Sequence, residues 1–157
     1  MIRILLVLLV LVSPAAAEPI LGRASVIDGD TIEIHGGRIR LSGIDAPESS
    51  QHCRNRSTGA PILCGGQSAM KLADLIGPSV VACTPDGTDR YGRTLAHCSA
   101  RGIDLGDAMV RSGWALSFIR YSHEYDSAEA EARAAKRGLW GTEFVEPWEW
   151  RRAQRSR

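Results

Sequence analysis

Asp28, Asp30, Arg40, Asp45 and Glu48 lie within one short stretch of the chain. Clustered carboxylate oxygens suit a hard cation such as Ca²⁺, which takes oxygen ligands. A guanidinium among them suits a phosphate, whose oxygens accept its fork of N–H donors. A cation and an arginine held side by side can grip a phosphate ester from two directions. Further along, Asp89-Arg90-Tyr91-Gly92-Arg93 adds two more guanidinium groups and an aromatic ring around a flexible glycine.

These side chains can act together only if the chain folds them onto one another. Thr31 to His35 and Arg38 to Gly43 are β-like runs flanking Gly36-Gly37, a two-residue hairpin signal. A turn centred on those glycines sets His35 opposite Arg38, Ile34 opposite Ile39 and Glu33 opposite Arg40. Asp30 then lies opposite Gly43, two residues from Asp45, with Glu48 just beyond the open end of the hairpin. Taken alone, Glu33 facing Arg40 is also an ordinary cross-strand ion pair. Asp-Gly-Asp is likewise an ordinary turn sequence.

Three segments together say more than either fragment. Ile27 to Thr31 (IDGDT), Arg40 to Glu48 (RLSGIDAPE) and Asp89 to Ala96 (DRYGRTLA) occur in order and at fitting spacing. From about Ala24 to Trp140 the chain resembles the micrococcal, or thermonuclease-like, nuclease family. The resemblance implies a Ca²⁺ ion held by Asp30, Asp45 and the backbone carbonyl of Ala46, with Asp28 as an outer-sphere acid. It implies that Arg40 and Arg93 grip the scissile phosphate, that Glu48 activates or orients the attacking water, and that Arg90 and Tyr91 contact a terminal phosphate. Cleavage in that family leaves 5′-hydroxyl and 3′-phosphate ends. The chain departs from the pattern at Ala46, where the type enzyme has Thr, and in a longer loop with two cysteines after Glu48.

The rest of the chain sets the context. Arg3, the apolar run Ile4 to Val12 and Ala15-Ala16-Ala17 read as a signal peptide over residues 1–17, cleaved to leave 18–157 as a single domain. The apolar run is too short to span a bilayer, so no membrane attachment is expected after cleavage. The mature protein is then expected in a bacterial periplasm or outside the cell. Cys53, Cys64, Cys83 and Cys98 lack C-x-x-C spacing and suit two disulfides in an oxidising compartment. Three pairings are possible. We expect Cys53–Cys64, closing the inserted loop, and Cys83–Cys98, clipping two strands.

Without Arg3, 18 basic residues balance 18 acidic ones, so the domain lacks the strong positive charge of a tight general nucleic-acid binder. Hydrophobic residues make up 44% of the chain, enough for one modest core. Strands are expected at Ile20 to Ile27, Thr31 to His35, Arg38 to Gly43, Val80 to Thr84 and Thr94 to Ser99. Helical spacing marks Ala69, Leu72, Ala73 and Ile76, then Leu105, Ala108 and Met109, then Tyr125, Ala128, Ala132 and Ala135 behind a Ser122 cap. Ser49 to Gly66 reads as a loop, the four tryptophans as packing residues, and Arg151 to Arg157 as a frayed, solvated tail. The fold class is α+β: a five-stranded OB-type barrel packed with about three helices. The whole reads as a monomeric, exported, Ca²⁺-dependent nuclease with DNA and RNA as substrates. The rival is a non-catalytic OB-fold module that binds nucleic acid or an envelope protein.

Overall fold

The computed structural model describes residues 18–120 and 122–156. The segment expected to be a signal peptide, 1–17, lies outside the described residues. Six strands form the main path of a mixed sheet: β1 (Ile20–Gly22), β2 (Ser25–Asp28), β3 (Thr31–Ile34), β4 (Gly37–Leu41), β8 (Val81–Thr88) and β9 (Thr94–Ala100), ordered β1-β8-β9-β4-β3-β2. Every neighbouring pair is antiparallel except β4 and β9, which run parallel. Short strands complete the set: β5 (Ile44–Asp45), β6 (Cys53–Asn55), β7 (Pro61–Ile62), β10 (Ile103–Asp104), β11 (Leu116–Ser117) and β12 (Thr142–Glu143). Among the described residues, four α-helices pack on them: α1 (Cys64–Ile76), α2 (Leu105–Arg111), α3 (Asp126–Ala134) and α4 (Pro147–Arg155). The architecture is an α+β, OB-type barrel with helices.

The hairpin turn differs from the sequence expectation. Its central residues are His35 and Gly36, both with positive φ (53° and 80°), as a two-residue primed turn requires. Gly37 is thereby drawn into β4, and the register becomes Thr31↔Arg40, Ile32↔Ile39, Glu33↔Arg38 and Ile34↔Gly37. The His35 ring sits 3.0 Å from the Leu21 carbonyl, which ties the turn to β1 and favours this register. The shift leaves each residue on its expected face because it preserves the alternation of the strands. It moves Arg40 away from Glu33 and next to Asp30, whose carbonyl accepts from the Leu41 amide at 2.8 Å.

One core lies inside the barrel. Ile32, Ile39 and Leu41 meet Leu72 and Ile76 of α1 and Leu105 and Met109 of α2, all nearly inaccessible to water. Leu72 and Ile76 are one turn apart, so a single face of α1 is buried, while Ala73 is exposed. A second cluster gathers Cys53, Cys64, Leu116 and Leu139 with the partly buried Trp114, Trp140, Phe144 and Trp148. It lies under the segment expected to be loop. There β6 pairs with both β7 and β12, and α1 begins at Cys64, well before Ala69. The third helix starts after Tyr125; Ser122 instead accepts from the Glu124 amide at 3.1 Å in the preceding turn. The run Ile20 to Ile27 breaks into β1 and β2 because the two pair with different partners, β8 and β3.

Candidate active site

Asp30 stands at the entry to β3, Arg40 near the end of β4, and Asp45 in β5, which is held in place by β11 through Leu116↔Asp45. The three side chains meet. Arg40 Nη1 donates to Asp30 Oδ1 at 2.9 Å and Nη2 to Asp45 Oδ1 at 2.6 Å, so one guanidinium spans both carboxylates. The Thr31 hydroxyl also donates to Asp30 Oδ1 at 2.9 Å, and the Ala46 amide to Asp30 Oδ2 at 3.1 Å. Asp30 and Asp45 are only 2% and 0% exposed, which makes charged partners obligatory. Asp28 accepts from the Asp30 amide at 3.1 Å. Burial, reinforced by the neighbouring Asp30 charge, pushes the Asp28 carboxyl up to about 7.

Gly29 is required by close approach. A Cβ there would come within 1.8 Å of Ser68 Oγ on α1 and 2.8 Å of the Ala46 Cβ. The Asp-Gly-Asp sequence therefore lets α1 press against the turn that carries both acids. Gly65, at the start of α1, plays the same part for Glu48: a Cβ there would fall 1.8 Å from the Glu48 carbonyl oxygen. Gln51, fully buried, fixes the Glu48 backbone from the other side. Its amide donates to the Glu48 carbonyl at 2.7 Å, its Oε1 accepts from the Glu48 amide at 3.3 Å, and its Nε2 donates to the Val145 carbonyl at 2.7 Å.

The sequence reading missed Arg151. Arg151 to Arg155, expected as part of a frayed tail, belong to α4, and Arg151 reaches from that helix into the cluster. It donates to Asp45 Oδ1 at 3.1 Å, Asp45 Oδ2 at 2.7 Å and Glu48 Oε1 at 2.9 Å. The sequence signals for α4 were Pro147 at the first helical position and Trp148 and Arg151 three residues apart, hence on one face. Burial works against the Arg151 charge, but the hydrogen bond and charge of Asp45 more than offset it and raise its pKa. For Asp45, burial outweighs the two guanidiniums and pushes the carboxyl above its usual range. Asp30, Asp45 and Glu48 against Arg40 and Arg151 leave one carboxylate in excess.

Arg93 is organised separately, in the turn between β8 and β9. Asp89 gathers that turn: its carboxylate accepts from the Tyr91 and Arg93 amides at 2.8 and 3.0 Å and from Arg93 Nε at 2.7 Å. These hydrogen bonds hold the Asp89 carboxyl below its ordinary range, against the effect of burial. The guanidiniums of Arg90 and Arg93 lie 5.3 and 5.7 Å from the centre of the exposed Tyr91 ring. Arg93 immediately precedes the register pair Ile39↔Thr94, so it enters β9 beside the strand that carries Arg40. Cys53 is bonded to Cys64 and Cys83 to Cys98. The first bridge joins β6 to the start of α1, around Glu48; the second joins directly opposed residues of β8 and β9. Elsewhere His97, Asp104 and Glu124 bring potential ligand atoms within 4.8 Å of one another. None of the three was singled out in the sequence.

Residues 38–142 match the family described as Staphylococcal nuclease homologue. A succinoglycan biosynthesis protein, ExoI, of Rhizobium meliloti is 41% identical over 87% of this chain and 73% of its own length. A micrococcal nuclease of Shigella flexneri is 34% identical over 83% of this chain and 79% of its own. An uncharacterized endonuclease of Escherichia coli O157:H7 is 36% identical over 93% and 94%. The chain belongs to the staphylococcal nuclease homologue family, and a nuclease function is what its nuclease relatives support. The matched segment begins after Asp28 and Asp30 and ends before α4.

Proposed function

We propose that the protein is an exported, Ca²⁺-dependent hydrolase of phosphodiester bonds in DNA and also in RNA. The observation that carries this reading is the buried Asp30–Arg40–Asp45 constellation, with Glu48 at its rim, in a chain whose relatives include named nucleases. The donor set fits a hard divalent cation: it is all oxygen, it is buried, and it carries more negative charge than its two arginines neutralise. Asp30 and Asp45 would hold the ion, with the Ala46 carbonyl adjoining and Asp28 in the outer shell. When bound, Ca²⁺ supplies Lewis-acid polarisation of the phosphate.

The protein's own residues do the rest. Glu48, 34% exposed, meets solvent at the edge of the buried pair and accepts a proton from, or orients, the attacking water. Arg40 and Arg93 neutralise charge on the phosphate oxygens. Arg90 and Tyr91, on the same turn as Arg93, offer a cation and a ring to the neighbouring phosphate. Both disulfides favour an oxidising compartment, and none of the described helices is long and apolar enough to cross a membrane. Plasmid and single-stranded substrates should be digested by the mature protein with Ca²⁺ and left intact with chelator. Binding without cleavage at saturating Ca²⁺ would instead favour the non-catalytic module.

A further inference from the structure

The helix that follows the matched segment, α4, reaches into the site through Arg151. Trp148 stacks on Phe118 with ring centres 5.7 Å apart, and the chain just before α4 is held through the Gln51–Val145 hydrogen bond. Arg151, one turn after Trp148, is therefore aimed inward by packing. Its guanidinium lies along both oxygens of Asp45 and one of Glu48. Asp45 is wholly buried while the Arg151 side chain is 27% exposed, so Arg151 forms the solvent side of that carboxylate. Arg40 approaches Asp45 Oδ1 as well, which gives that oxygen two donors, its full complement of lone pairs.

We propose that Arg151 is a built-in counter-cation that competes with the divalent ion for Asp45, so that α4 sets the metal affinity of the site. This rests on the Ca²⁺-dependent reading above. A cation ligated by Asp45 must share its oxygens with the guanidinium or displace it, and two positive charges so close repel. Removing the Arg151 charge raises the excess of carboxylates from one to two, and divalent affinity rises with the charge of the ligand set. Arg151 is also a long side chain at a partly open rim. It can leave Asp45 while its helix stays packed through Trp148.

Calorimetric titration of the full mature protein with CaCl₂ at fixed ionic strength tests this without reference to activity. Arg151→Gln, which keeps hydrogen-bonding capacity without charge, should bind Ca²⁺ about tenfold more tightly than wild type or better. Arg152→Gln removes a charge from the same helix, but that residue is 71% exposed and pairs with Glu149, so its affinity should stay at the wild-type value. Equal or weaker binding by Arg151→Gln, or an equal gain in Arg152→Gln, overturns the proposal while leaving the Ca²⁺ site standing. If neither wild type nor Arg151→Gln binds Ca²⁺, the Ca²⁺-dependent reading falls and this inference with it. A second measurement needs no variant. In wild type, the guanidinium protons of Arg151 should exchange with solvent faster once Ca²⁺ is added, and unchanged protection at saturation also overturns the proposal.

Discussion

Arg40 and Arg93, matched to the same role by resemblance, sit in different physical settings. Arg40 is the partner of two buried carboxylates, whereas Arg93 is paired to one partly exposed acid within its own turn. Arg40→Ala leaves Asp30 and Asp45 short of a counter-charge and should destabilise the protein by about 3–5 kcal/mol. Arg93→Ala should leave stability within about 0.5 kcal/mol of wild type, yet lower turnover about a hundredfold or more. Urea unfolding and plasmid digestion on the same two variants separate these outcomes. Asp89 predicts a pH effect. Its folded pKa is depressed, so its contribution is present above the ordinary carboxylate value near 4 and is lost as pH falls through the lower folded value. Asp89→Asn should cost about 0.5–1 kcal/mol at pH 7, a modest loss because the pair is partly screened by water. The gap to wild type should close on acidification below pH 4, as read from melting temperatures across that range.

At the scale of elements, two covalent ties do different work. Cys83–Cys98 clips β8 to β9 within the main sheet, and Cys53–Cys64 ties the β6 ribbon to the first residue of α1. Their loop separations, 15 and 11 residues, are close enough that the chain-entropy model assigns each about 3 kcal/mol. Serine pairs at the two bridges should therefore melt at similarly lowered temperatures. Activity below the melting range should distinguish them. Only the Cys53/Cys64 pair of substitutions loosens the segment in which Gly65 and Gln51 grip the Glu48 backbone, and it should lower turnover several-fold while the Cys83/Cys98 pair does not. Equal turnover in the two variants would show that Glu48 needs no help from the inserted loop.

For the molecule as a whole, charge balance matters more than any one contact. With 18 basic and 18 acidic residues after Arg3 is set aside, the domain has no general attraction for polyanions. Its buried carboxylates add a local negative field beside the arginines proposed to hold phosphate. Substrate affinity should thus depend on the cation that neutralises them. Fluorescence anisotropy with a labelled oligonucleotide should show binding in Ca²⁺ at least about tenfold tighter than in chelator, and the residual chelator binding should vanish as salt rises. Metal-independent affinity would move the nucleic-acid surface away from these residues.

The sequence by itself determined the acids, the arginines and the order in which they come. Asp-Gly-Asp, Arg40 to Glu48 and the Asp89 turn are local signals, because turn residues and strand alternation act over a few neighbours. The helix faces of Leu72 with Ile76 and of Ala128 with Ala132 were legible for the same reason. Tertiary structure decided what depends on contacts between distant segments. His35, held to Leu21, shifted the hairpin turn by one residue and moved Arg40 from Glu33 to Asp30. Gly29 and Gly65 look like turn glycines in a string of letters, but their reason is the close approach of α1. Arg151 was invisible as a site residue because α4 has few apolar positions of its own and gains its place from Trp148 on Phe118 and from Gln51. A short polar helix is marginal alone, so only its packing partners turn a basic tail into the third side of the carboxylate cluster.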